Sequence, residues 1–290
     1  MAKKSFGGQA VIEGVMMRGR EIVAIAVRKP NREIVVHKTT ICPAARRWPI
    51  LKLPILRGIA ALVESLSIGI GALTYSANQV AEEEEEQLGA GEMALSVVIA
   101  LVLGAGLFIV LPTVLVRLLA PQAAQGSRVI YLNLLEGAFR IGIFLLYITG
   151  ISLLKDIQRF FAYHGAEHKV IHAYEAGKPL TMEEILPMSP LHPRCGTAFL
   201  LYVMVVSILV FSLLGWQSLP VRILTRLALL PVVAGLAYEL IRLGGRVRSP
   251  LLDLVLVPGL LLQRLTTREP DVGQIEVAVR ALEAVLAEEG

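Results

Sequence analysis

Cysteine is almost missing from this chain. Cys42 and Cys195 stand far apart in 290 residues, too few and too distant to set up a disulfide framework. No apolar segment follows the basic residues of MAKKSFGGQAVIEG at the N-terminus, so a secretory signal is not expected there. No glycine-rich loop ends in Lys-Ser or Lys-Thr, which argues against P-loop nucleotide hydrolysis. No glycine pattern joins a strand to a helix for a dinucleotide, and no haem-attachment spacing occurs. Charge is scarce as well: 18% of residues are charged against 55% hydrophobic, a balance that a soluble domain of this length does not need.

Long apolar runs take the place of charge. MALSVVIALVLGAGLFIVLPTVLV (93–116) and TAFLLYVMVVSILVFSLLG (197–215) carry no charge and are long enough to span a bilayer. Two more runs carry charge inside them: 129–154 with Glu136 and Arg140, and 219–243 with Glu239 near one end. Glu136 and Arg140, spaced i to i+4, are expected to neutralise one another within the bundle. A four-span arrangement leaves 23 of the 28 Lys and Arg on one side, which the positive-inside rule makes cytoplasmic. Both termini and every histidine then face the cytoplasm. The run 56–77 contains Arg57 and Glu64. Counting it as a fifth span would export the histidines, so it reads as an interfacial or re-entrant helix. The basic pI of about 9.1 is explained by cytoplasmic loops meeting anionic lipid and gives no support for nucleic-acid binding.

Three parts are polar enough to be soluble. Residues 1–54 form a cytoplasmic β-rich module, in which EIVAIAVRKPNREIVVHKTT (21–40) predicts a hairpin around a Pro-Asn turn. Residues 55–265 form the helical membrane domain, with a histidine-rich segment at 160–196. Within it, 249–265 is interrupted by Asp253 and Pro258–Gly259 and is expected to be re-entrant or packed on the bundle. Residues 266–290 hold a C-terminal amphipathic helix that starts near Asp271, with apolar Ile275, Val279, Leu282 and Leu286. The stretch AEEEEEQLGAGE (81–92) reads as a solvated linker.

Four of the five histidines fall between positions 164 and 192. YHGAEHKVIHAYE (163–175) continues the helical pattern and sets His164, His168 and His172 four apart, about 40° from one another around a helix. His164 and His168 can therefore hold one metal ion, with Glu167 beside them. His-x-x-Glu-His is the inverted zincin order: two imidazole ligands and a carboxylate that takes a proton from water. A third ligand must come from elsewhere. Glu239 in AYELIR, and His192 and Cys195 in HPRCGTAF, all return to the same membrane face. The competing structural reading is a polar helix at a water boundary, with His172 a surface residue or bonded to Glu175 or Glu239. In GGQAVIEGVMMRG, Gly7, Gly8 and Gly14 suit a tight turn before a strand, or a close backbone approach. The functional reading has Glu13 and Arg18 covering the histidine site from the cytoplasmic side.

GGQAVIEGVMMRG, YHGAEHKVIHAYE, HPRCGTAF and PGLLLQRLTTREPDVGQIEVAVRAL together resemble the YqhQ-like bacterial membrane proteins, a domain family of unknown function, over nearly the whole chain. The resemblance implies a predicted metal-dependent enzyme in the bacterial cytoplasmic (inner) membrane, with Glu13, His164, Glu167, His168, His192, Arg194 and Cys195 as motif residues. It supplies no substrate.

The expected molecule is thus an α-helical integral membrane protein of about four transmembrane helices plus an interfacial helix. Its first functional reading is a hydrolase with a divalent metal, zinc above all, on His164, His168 and one of Glu239, His192 or Cys195. Glu167 is general base, Arg194 holds an anionic group, and the substrate is a peptide bond or a lipid-linked ester. The second is a non-catalytic carrier or assembly factor with a structural cluster.

Overall fold

The computed structural model describes residues 6–81, 89–120, 127–193, 195–215, 217–244 and 250–289. The N-terminal module is a four-stranded antiparallel meander, β1 (Gly7–Val11), β2 (Gly14–Arg18), β3 (Ile22–Arg28) and β4 (Ile34–Thr40). The hairpin around Pro30 and Asn31 is present, and GGQAVIEGVMMRG adds a second hairpin that turns at Ile12–Glu13. The sheet is covered on both faces. Val11, Met16, Val23, Ile25 and Val27 pack under α2 (Leu56–Val80), while Ala10, Val15, Met17, Ala24 and Ala26 face α6 (Lys155–Ala176) and α11 (Val272–Glu289). Alternation with period 2 sends the larger β3 side chains to one face and alanines to the other, where they allow helices to lie close.

α11 begins where expected. Asp271 and Gln274 exchange side-chain-to-backbone hydrogen bonds in a capping-box arrangement. Its apolar stripe of Ile275, Ala278, Leu282 and Val285 is buried against the sheet and α6. Residues from 1–54, 160–196 and 266–290, distant along the chain, therefore share one core.

The remaining helices form the apolar part. α3 (Ala90–Ala105) runs through a π-turn (Gly106–Val110) into α4 (Leu111–Leu119). It is joined by α5 (Ser127–Ile151), α8 (Gly196–Ser212), α9 (Leu219–Gly244) and α10 (Pro250–Thr266). Short helices α1 (Ala44–Arg47) and α7 (Met182–Ile185) lie in the connections. Four helices among the described residues are long and apolar enough to cross a membrane: Leu56–Val80, Gly91–Leu119, Arg128–Ile151 and Leu219–Leu243. This set differs from the sequence expectation at two places. α8, at 17 residues, is shorter than the run 197–215 suggested, because its helix ends at Ser212. α2 meets the length and hydropathy of a span although its second half lies on the sheet, where Ser76 Oγ accepts a hydrogen bond from Ile12 N. The segment 250–266 is one helix packed on α8, despite Pro258. The bundle turns large apolar side chains outward: Leu146 is 75% and Leu213 86% exposed.

Candidate metal centre

α6 carries the site. It follows α5 after a three-residue gap and stops at Gly177, which takes the left-handed conformation (φ 76°) that ends many helices. Its polar middle is buried: His164, Glu167, His168 and Lys169 are all under 10% exposed. Burying such a helix requires partners for every polar group, and three chain segments supply them.

The first is the connection from α10 to α11. Gly165 has no side chain, and a Cβ there would overlap Arg268 O. The gap lets this segment lie against α6, with Arg268 N donating to Phe161 O at 2.9 Å. Thr266 O consequently sits 2.8 Å from His164 Nδ1. The second is the loop before α8, where Pro190 O lies 2.6 Å from His168 Nδ1. Buried Gln263 clamps this loop at His192, accepting from its N–H (2.7 Å) and donating to its carbonyl (2.8 Å). The third is β1. Gly8 presses on Glu167 so closely that a Cβ would lie 2.5 Å from Glu167 Cγ.

A carbonyl oxygen only accepts, so each Nδ1 must carry a proton, and in the neutral ring it is Nε2 that offers the lone pair. His164 Nε2 lies 3.2 Å from Cys195 Sγ, and His168 Nε2 lies 3.4 Å from Glu167 Oε2. The two imidazole centroids are 4.4 Å apart. His164, His168 and Cys195 each offer a ligand atom, all within 4.8 Å of one another. They line a cavity of about 80 Å³ with Glu167, His192, Phe6, Gly7 and Gly8. Imidazoles whose Nδ1–H is tied to a backbone carbonyl are the outer-shell arrangement typical of metal-binding histidines. Two nitrogens, one sulfur and an adjacent carboxylate fit zinc and similar borderline-soft cations.

Burial sets the protonation states. It holds His168 down at about 2, helped by neighbouring His164, and His192 at about 4, helped by His172, so both rings are neutral at pH 7. Burial pushes Glu167 up to about 8, with His164 opposing, and raises the Cys195 thiol against hydrogen bonds from Thr197. Burial thus keeps Glu167 and Cys195 in their protonated forms at pH 7 when no cation is present.

The other sequence candidates fall in different places. His192 lines the cavity, but its Nε2 is 3.3 Å from Glu175 Oε2. His172 donates from Nε2 to Leu191 O at 2.9 Å and its ring lies tilted against His192, outside the cavity lining. Glu239 is not brought to the cluster: Arg57 Nε donates to it at 2.6 Å, and Ile55 N adds a longer contact. Arg18 pairs with Glu64 on α2, and Glu13 with Arg159 and Tyr163 beside a separate cleft. The N-terminal block covers the site, through Phe6, Gly7 and Gly8 and not through Glu13 or Arg18, because β1 runs along α6 while the turn projects past it. Arg194 lies outside the described residues. Gln263, Thr266 and Pro190 were not singled out from sequence. Gln263 alone had a signal, as a lone amide in the run LVLVPGLLLQRL.

Comparison with known proteins agrees over nearly the whole length. A family described as a protein of unknown function (DUF1385) matches residues 53–288. Uncharacterized protein YqhQ of Bacillus subtilis (strain 168) is 35% identical over 296 residues, covering 97% of this chain and 92% of that protein. No solved structure matches.

Proposed function

The chain belongs to the DUF1385 family, whose description assigns no activity, and from the cluster itself we propose a metal-dependent hydrolase embedded in the bacterial cytoplasmic membrane. One observation carries this reading: two buried imidazoles, each fixed through Nδ1 by a backbone carbonyl, converge with Cys195 Sγ beside a buried carboxylate. His164 Nε2, His168 Nε2 and Cys195 Sγ would hold a divalent cation, zinc by donor chemistry. The cation supplies a Lewis acid that activates water and polarises a carbonyl. Glu167, ionised beside it, takes the proton at Oε2 and returns it to the leaving group. The substrate class is a peptide bond or lipid-linked ester reaching the cytoplasmic face.

The shared core supports the topology by parity. Sheet, α6 and α11 pack together, so an even number of crossings must separate each from the next. α3–α4 and α5 cross between sheet and α6, which leaves α2 on the cytoplasmic side. Between α6 and α11, α8 and α9 cross and α10 returns without crossing. Sheet and α11 then lie on the same side as α6, which the positive-inside rule makes cytoplasmic, and the bundle's outward leucines meet lipid.

A second reading has its own observation. The cavity has room for an ion and a water or two, and Glu167 could complete a closed four-ligand set, as in structural zinc sites. Bound metal measured by mass spectrometry on protein purified in mild detergent tests both. Near-stoichiometric zinc in wild type, lost in His164→Ala, His168→Ala and Cys195→Ala, is expected. Its absence after adding metal back would sink both. Glu167→Gln then separates them: the hydrolase keeps metal and loses turnover, whereas a structural centre loses metal or is indifferent.

A further inference from the structure

Some 18–24 Å along α8 from Cys195, at about 1.5 Å per residue, the bundle buries a second polar cluster. Arg222 and Arg226 of α9 turn inward and are 5% and 1% exposed. They meet the Glu136–Arg140 pair of α5. Glu136 Oε1 accepts from Arg140 Nη2 (3.0 Å), from Thr113 Oγ1 (2.9 Å) and from Arg226 Nη1. Its Oε2 accepts from Arg222 Nη2 at 2.7 Å. Glu136 and Arg140 therefore do not simply neutralise each other: three guanidinium groups share one carboxylate.

Each guanidinium nitrogen of Arg140 has a hydrogen-bond partner. Its Nε donates to Phe108 O in the π-turn at 2.8 Å and its Nη1 to Ser207 Oγ at 3.1 Å. A π-turn loosens the regular carbonyl ladder and often marks a functional position. Arg226 is different. Its Nε is buried without a hydrogen-bond partner among the described residues, and its guanidinium lies 5.4 Å from the Phe211 ring.

The described groups thus carry three positive charges against one negative charge, in apolar surroundings. Lysine could answer this by losing a proton; arginine cannot. Uncompensated charge at membrane depth is costly and marks ion or ligand paths. We propose that Arg222 and Arg226, with Glu136 as the counter-charge that limits affinity, form a binding site for a phosphate-type oxyanion at the non-cytoplasmic end of the bundle. Paired arginine forks match the oxygens of such an anion better than a spherical halide. Free phosphate and the phosphodiester of a lipid headgroup present the same chemistry. The site is independent of the proposed metal centre.

The test uses full-length protein in mild detergent and phosphate-free buffer. Inorganic phosphate is expected to raise the thermal midpoint saturably, and more than chloride at equal ionic strength. Arg226→Gln should weaken half-saturation at least roughly tenfold, the effect of losing one charge-assisted contact. Glu136→Gln should tighten it. Phosphorus analysis separates the sources: about one extractable lipid phosphorus per chain, lost in Arg226→Gln, identifies a headgroup, and dialysable phosphate identifies the free ion. Should Arg226→Gln fail to fold, the Glu136→Gln arm alone decides. No retained phosphorus with no phosphate-specific shift, or the same response in wild type and variants, overturns the proposal.

Discussion

Two glycines make the residue scale testable. Gly8 touches Glu167 and Gly165 admits the segment that holds His164, so adding one methyl at each should have different consequences. Gly165→Ala pushes Arg268 and Thr266 away and frees His164 Nδ1. We expect a loss of about 1–3 kcal/mol, typical of overpacking, together with much of the bound metal, read by thermal denaturation and metal content. Gly8→Ala displaces Glu167 but neither imidazole, so metal should stay while turnover falls. Protonation gives a second residue-scale expectation. A carboxyl raised to about 8 by burial keeps its proton in the folded state up to that pH but loses it near 4.5 when unfolded. Metal-free protein should therefore lose stability as pH rises through this window. His168 and His192, held low by burial, cost stability only as pH falls below 6.5. From about pH 7 to 8, where the unfolded histidines are mostly neutral, the Glu167 effect prevails. The thermal midpoint in chelator should decline there, and zinc should abolish the decline; a midpoint flat in both conditions would contradict the buried carboxyl. At this scale the sequence shows the chemistry of HGAEH and Cys195 but not who binds whom. Glu239 and Arg18 looked available because Arg57 and Glu64, their ion partners, lie far away in sequence.

Secondary elements were legible where periodicity is strong. The hairpin at 21–40 and the helix from Asp271 follow from period-2 alternation, an apolar stripe and a capping pair. Their docking was not legible. Alternating buried residues on both faces of β3 become informative only once α2 and α11 are seen to cover them, and that pairing joins segments some 250 residues apart. α11 is the element whose removal should reach furthest, since it anchors the connection carrying Thr266. Leu282 is fully buried on its inner stripe. Leu282→Ala is expected to cost about 2–5 kcal/mol, the usual range for a buried leucine, seen in chemical denaturation. Metal affinity should weaken with it. Unchanged stability would mean that α11 does not dock as described.

At the scale of the whole molecule, the core shared by sheet, α6 and α11 constrains any membrane topology to an even number of crossings between them, which counting apolar helices does not reveal. By length and hydropathy α2 qualifies as a span and α8 falls short, whereas the proposed topology, which keeps sheet, α6 and α11 on one side of the bilayer, takes α8 as a span and leaves α2 out. If α2 crossed together with α3–α4 and α5, the sheet and α6 would lie on opposite sides of the bilayer, and Ala10, Val15 and Met17 would have nothing to pack on. An α8 of 17 residues spans about 25 Å at 1.5 Å per residue, within reach of a bilayer core when flanking residues adjust. The native cysteines allow a direct check. Cys42 is exposed and Cys195 buried, so a membrane-impermeant maleimide should modify one site per chain. That modification is expected in inside-out vesicles and not in intact cells. With Cys42→Ser as background, Arg128→Cys at the start of α5, where the side chain is exposed, should show the opposite pattern. Labelling of Cys42 from outside intact cells would invert the topology and place the histidine cluster away from the cytoplasm. Labelling of both positions from one side would break the pairing of α3–α4 with α5, and with it the argument that keeps α2 out of the span count.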